Sequence, residues 1–190
     1  MKKPAVSLLL LFAVASTSFA SGGAETYDEY LAGLYRETVP TVLPAELAAG
    51  LGEATDNGDA SGDLLILDVR SEAERAVSWI PGSLFIDYDE FTVETFGELL
   101  DSHGFSPAPM IVAYCAVGYR SERVGEQLTE VGYEEVSHLY GGIIEWVNRG
   151  YELVPGPEHP ENLSRAVHGH SARWGKWVAG NHAVYDPAPR

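Results

Sequence analysis

The segment Cys115-Ala116-Val117-Gly118-Tyr119-Arg120-Ser121 carries the residue types from which covalent chemistry can be built. Cys115 is the one cysteine of the chain, so it cannot close a disulfide within it. It is an inert buried thiol, a link to another molecule, or a reactive group. Ala116 and Gly118 are small enough to let the backbone curl tightly. A curled loop running into a helix start turns several N–H groups inward and makes an anion nest, with the partial positive charge of the helix end behind it. A thiol at the rim of such a nest, with a nearby arginine, is favoured as thiolate. The expected result is a nucleophile beside a socket for an oxyanion, suited to attack on a sulfur or phosphorus that bears anionic oxygens. Two plainer readings use the same residues: a core cysteine at a strand end, and a glycine turn that merely joins strand to helix. Arg120 and Ser121 favour the chemical reading, because a plain connector needs neither.

The elements around this segment have to place it at an edge where ligands bind. Met110–Tyr114 is a continuous apolar run that ends at Cys115 and reads as a buried strand, as does Leu64–Asp68. Residues 84–86 and Val136–Leu139 supply further core strands, and 41–43 a brief one. Residues 121–131, with Val124, Leu128 and Val131 on one face, read as a helix stopped by Gly132. Other helices are expected at 26–36, opened by Thr26 and Glu29, at 44–51, with Pro44 in its first turn, and at Glu72–Val77, 94–100 and 143–148. Ile80-Pro81-Gly82-Ser83 is a turn, and residues 52–63 are a polar loop. Strands alternating with helices predict an α/β domain with a central, largely parallel sheet flanked by helices. Sites in such sheets lie beyond the carboxyl ends of the strands, where Cys115, Asp68 and Arg70 all fall. Asp68 and Arg70 are candidates to support the site; a local backbone cap by Asp68 and an Arg70–Glu74 ion pair are the structural alternatives.

Together these motifs resemble the rhodanese family. The loop matches its Cys-x-x-Gly-x-Arg-Ser pattern, Leu67-Asp68-Val69-Arg70 its Asp-x-Arg segment, and Ile80-Pro81-Gly82-Ser83 its Ile-Pro-Gly-Ala turn. Gly132-Tyr133, Gly141-Gly142, Trp146 and Gly150 resemble its closing helix, in the family's order. Trp79 departs from the pattern, where the family often has His. The resemblance implies a rhodanese-like domain over residues 38–154 and the activity of a thiosulfate sulfurtransferase, with the exported single-domain members as the nearest analogues. It implies that Cys115 takes sulfur from a small anionic donor such as thiosulfate, holds it as a persulfide, and passes it to a thiol or cyanide. The substrate-binding residues would be Ala116, Val117, Gly118, Tyr119, Arg120 and Ser121, with no metal and no organic cofactor. A persulfide carrier for a dedicated partner protein is the second reading. A phosphatase of the same fold is the third; that branch has a loop one residue longer than Cys115 to Arg120.

The ends of the chain read differently. Met1-Lys2-Lys3 followed by an apolar stretch to Phe19, with Ser18 and Ala20 at a candidate cut, fits a signal peptide of residues 1–20, with an uncleaved anchor as the alternative. The chain is then expected to be periplasmic or secreted and not membrane-spanning after cleavage, with residues 21–37 forming a helical N-terminal extension. The formal charge of −16 becomes −18 when Lys2 and Lys3 leave with the leader. Such a surface repels nucleic acid and anionic lipid. Pro155-Gly156-Pro157 and His159-Pro160 mark the start of a tail, residues 155–190, with Asn162 a candidate cap for a short helix reaching about His168. Trp174, Trp177 and Tyr185 are expected to anchor this tail on the domain. Two sharper readings make it a cover for the mouth of the Cys115 loop or a docking segment. His168-Gly169-His170 has no carboxylate or thiol at ligand spacing, so no metal site is assigned.

Overall fold

A computed structural model describes residues 25–56, 64–105, 109–157, 165–180 and 182–184. The proposed leader, the connection at 57–63, Asn162 and Tyr185 lie outside them. Helix α1 (Tyr27–Leu34) opens on a capping box in which Thr26 and Glu29 exchange hydrogen bonds. Strand β1 (Thr41–Val42) and helix α2 (Pro44–Asp56) follow, then β2 (Leu64–Asp68) and α3 (Glu72–Val77), itself opened by a Ser71–Glu74 capping box. Next come β3 (Ser78–Trp79), β4 (Leu84–Phe85), α4 (Val93–His103), β5 (Met110–Tyr114) and α5 (Tyr119–Glu130). The remaining elements are β6 (Val136–Leu139), α6 (Gly142–Asn148), β7 (Val154–Pro155), β8 (Val167–His168), α7 (Ala172–Gly175) and β9 (Ala183–Val184).

The central sheet has the order β1-β6-β5-β2-β4, with every neighbouring pair parallel. Its middle strands are buried on both faces, which is why they read as unbroken apolar runs. Alternation along β5 sorts the core into two halves. Val112 and Tyr114 join one cluster with Leu31, Leu139 and Ile143; Ile111, Ala113 and Cys115 join the other with Phe96, Val124 and Leu128. Two helices run differently from the sequence reading. Helix α2 continues through Gly52 to Asp56, since Ala48, Ala49, Leu51, Glu53 and Ala54 favour helix strongly enough to carry its glycines. Val131 caps α5 and is 54% exposed, so the buried face of that helix ends at Leu128. The short helix expected to reach His168 is not there at its end: Val167 and His168 form β8, which pairs with β9.

Candidate active site around Cys115

Strand β5 delivers Cys115 to the carboxyl edge of the sheet, and α5 begins four residues later at Tyr119. The turn between them needs Gly118, whose φ of 94° lies in the left-handed region. Space demands it as well, because a Cβ here would lie 2.3 Å from the Tyr35 hydroxyl. The Gly118 N–H points at the Cys115 Sγ from 3.2 Å, and the Ser121 hydroxyl lies 3.9 Å from the sulfur while donating to the Gly118 carbonyl at 3.0 Å. Every helix leaves the N–H groups of its first turn without intrahelical acceptors, so α5 adds the amides of Tyr119, Arg120 and Ser121 at the same end.

The thiol itself differs from the expected rim position. Cys115, Ala116, Val117 and Ser121 have no exposed surface, so the sulfur sits on the floor of the loop rather than at its lip. The loop is held from below by α6: Ile143 N–H donates to the Cys115 carbonyl at 2.9 Å and Ile144 N–H to that of Ala116 at 3.2 Å. This contact requires Gly142, since a Cβ there would lie 2.3 Å from the Cys115 carbonyl oxygen. From the side, the Tyr35 hydroxyl donates to the Val117 carbonyl at 2.8 Å and accepts from Gly141 N–H at 2.9 Å. The Tyr27 hydroxyl donates to the Gly141 carbonyl at 2.8 Å. Burial pushes both phenols above their ordinary range and keeps them neutral donors.

Arg120 is nine-tenths buried. Its Nη2 bonds both carboxylate oxygens of Glu74, at 2.7 and 2.8 Å, and its Nε has no acceptor among the described residues. Burial opposes its charge, but Cys115 and Glu74 outweigh that and raise its pKa. Arg70 makes no ion pair with Glu74; it meets only the Glu74 carbonyl, because the Glu74 carboxylate is taken by Arg120 and by the cap at Ser71. Arg70 instead pairs with Asp68 through Nε at 2.8 Å and Nη2 at 2.7 Å, while Asp68 also accepts from its own neighbour's backbone, Arg70 N–H, at 3.1 Å. Arg75 and the Tyr114 hydroxyl complete the shell of Asp68, at 3.1 and 2.8 Å. Burial raises the Asp68 pKa, but Arg70, Arg75 and Tyr114 overcome it and leave the carboxyl below its usual range. This network ties β2, α3 and the 80–83 turn to Tyr114, the residue before Cys115.

Of the sequence-predicted residues, the structure therefore gathers Cys115, Gly118, Arg120 and Ser121. Ala116 and Val117 contribute carbonyl anchors. The Tyr119 side chain is exposed and stacked by Arg123 at 5.0 Å. Asp68 and Arg70 brace the loop from behind. The sequence reading missed Tyr27, Tyr35 and Gly142 as loop supports and Glu74 as the partner of Arg120. Only the Gly141-Gly142 pair carried a local signal. Among the described residues, no group of three or more His, Cys, Asp or Glu could hold a metal ion, and no helix is long and apolar enough to cross a membrane.

A parallel α/β sheet that presents one thiol to inward amides at its carboxyl edge is the frame of a thiol-dependent group-transfer site. The rhodanese-like domain model matches residues 47–149, more than half of the chain, and the chain belongs to that family. It is 32% identical over 100 residues to the tRNA uridine(34) hydroxylase of Sinorhizobium fredii, covering 52% of this chain and 30% of that protein. To the protein of the same name from Cupriavidus necator it is 32% identical over 121 residues, covering 63% of this chain and 40% of that one. The chain thus spans less than half the length of these curated relatives. The structure of a thiosulfate sulfurtransferase from Pseudomonas aeruginosa superposes with a TM-score of 0.52 at 22% identity, covering 68% of this chain and 23% of that one, which is a likeness of fold.

Proposed function

We propose that the chain transfers sulfane sulfur from thiosulfate or a similar small anionic donor to a thiophilic acceptor through a persulfide on Cys115. The observation that carries this reading is the Gly118 N–H aimed at the Cys115 sulfur in a loop whose length from Cys115 to Arg120 fits the sulfur branch of the fold. In the first step the thiolate attacks the outer sulfur of thiosulfate. The sulfur–sulfur bond breaks, sulfite leaves with the electron pair, and Cys115 keeps the extra sulfur with its negative charge. The Gly118 amide and the α5 start stabilise that charge. In the second step cyanide or a thiolate attacks the outer sulfur and the Cys115 thiolate departs. A leader over residues 1–20 supports action in the periplasm or outside the cell. The tRNA chemistry named for the relatives is not carried over: the aligned part is a minor share of those proteins, and a formal charge of −16 opposes a polyanionic substrate.

The test is intact mass of the purified chain after incubation with thiosulfate. Gain of one sulfur atom in the wild type and none in Cys115→Ser supports the reading, and catalytic turnover with cyanide distinguishes an enzyme from a carrier. Loading that persists in Cys115→Ser would refute it.

A further inference from the structure

The sulfur has no exposed surface, yet a donor and an acceptor must each touch it. Whatever packs over the loop has to move for the proposed reaction to run. Among the described residues, α1 and the C-terminal residues 165–180 share a hydrophobic cluster with the loop. Ala116 and Val117 belong to one hydrophobic cluster with Val167 and Val178, against which Tyr27, Trp174 and Trp177 pack. The Trp177 ring lies 5.3 Å from Tyr27 and 5.4 Å from Tyr30, and the Trp174 indole donates to the Tyr30 hydroxyl at 2.7 Å. His170 is stacked 4.3 Å from Trp174.

The two segments are not held alike. Helix α1 and the residues after it are bonded to the loop and to α5: Tyr27 to Gly141, Tyr35 to Val117 and Gly141, and the Arg36 and Thr38 amides to the buried Glu122 carboxylate. Moving α1 would dismantle the loop along with its cover. The C-terminal segment is fixed at its start, where the Ser78 hydroxyl donates to the Ala166 carbonyl, Arg165 donates to the Gly150 carbonyl at 3.1 Å and β8 pairs with β9, and it is held more lightly further on. Its run Trp177–Ala179 is fastened by one side chain, Asn148 at the end of α6, which donates to the Trp177 carbonyl at 2.9 Å and accepts from Ala179 N–H at 2.8 Å. In the closed position the buried Trp177 indole N–H has no acceptor among the described residues, a cost that water would relieve on opening.

We propose that residues 170–180 form a cap over the Cys115 loop, hinged on β8 and latched by Asn148, which opens to admit donor and acceptor and closes over the loaded sulfur. This rests on the sulfur-carrying role proposed for Cys115. Closure shields the persulfide between the two half-reactions; opening sets which encounters count. Asn148 is a positioning residue here, acting through the cap and not on the reacting atoms.

Because Cys115 is the chain's one thiol, its alkylation by iodoacetamide reads the opening directly. On the full chain at low urea, the expected rate is independent of urea, the sign of a local opening rather than of global unfolding. Asn148→Ala, which removes both latch bonds, should label roughly thirtyfold faster, from the worth of two hydrogen bonds. Trp174→Phe, losing one bond, should show a smaller rise in the same direction. Removal of sulfur from the thiosulfate-loaded variants by cyanide should accelerate by the same factors. Labelling that follows the urea dependence of global unfolding, or rates in both variants that rise only in proportion to their lost global stability, would overturn the cap. Failure of thiosulfate loading while labelling still shows local opening would instead count against the sulfur reading and leave the cap standing.

Discussion

Gly118→Ala should damage the loop far more than one added methyl group suggests. The left-handed backbone at φ 94° costs a non-glycine residue about 1–2 kcal/mol. The new Cβ would also lie 2.3 Å from the Tyr35 hydroxyl and 2.8 Å from its Cζ, so the ring must shift. A shift breaks the bonds from Tyr35 to the Val117 carbonyl and from Gly141 N–H to Tyr35, each worth about 1 kcal/mol. The combined loss is about 3 kcal/mol, within the stability of an ordinary domain. In a Tyr35→Phe background those two bonds are already gone, so the same substitution should cost at least about 1 kcal/mol less. Urea unfolding followed by tryptophan fluorescence on all four proteins measures the cycle, and intact mass after thiosulfate measures loading, which should fall with the glycine variant. A cost below about 0.5 kcal/mol, or the same cost in both backgrounds, would refute the argument that the tyrosine and the glycine form one close-packed unit.

Three other outcomes are expected. Asp68→Asn strips the fully buried Arg70 of its counter-charge and should destabilise by about 3–5 kcal/mol in urea titrations. Because the folded pKa of Asp68 is depressed, wild-type stability from this group is complete above about pH 4 and falls as pH drops through the lower folded value; the asparagine variant should lack that acid-side loss. His138 is buried with neither ring nitrogen hydrogen-bonded among the described residues, and burial lowers its pKa to about 4. The unfolded chain therefore binds the proton first, and stability should decline by an order of 3 kcal/mol between about pH 6.5 and 4; His138→Leu should flatten that slope in urea midpoints. If the −16 surface repels an anionic donor while the loop draws it in at short range, thiosulfate turnover should rise with moderate salt, and a flat or falling response would dispose of that account.

The parts of this molecule that were readable from sequence are those written in short range. Apolar runs marked β2 and β5, the box at Thr26 marked a helix start, and the Cys115–Ser121 stretch showed a glycine turn opening a helix. What escaped depends on residues far apart in the chain. Arg70 and Glu74, four apart, suggest a local pair, but the fold brings Arg120 to Glu74 across 46 residues, and the carboxylate goes there. Tyr35 reaches Val117 across 82 residues, and nothing around Tyr35 distinguishes a loop support from a surface aromatic. The depth of Cys115 likewise depends on what lies over it, which the local pattern of a strand end leaves open. Val131 failed for a different reason: spacing continues past the end of a helix even when the surface it would bury against does not.

The family match begins at residue 47, whereas Tyr27, Tyr35, Arg36 and Thr38 all come before it. A fragment trimmed to that boundary would keep the thiol, the arginine and every strand but β1. It would lose the two phenols that fasten both glycine bends and the amides that hydrogen-bond the buried Glu122 carboxylate of α5. The portion that defines kinship is therefore smaller than the portion that keeps the sulfur in place, and an excised domain that looks folded yet takes up no sulfur would have been cut on the wrong side of Tyr27.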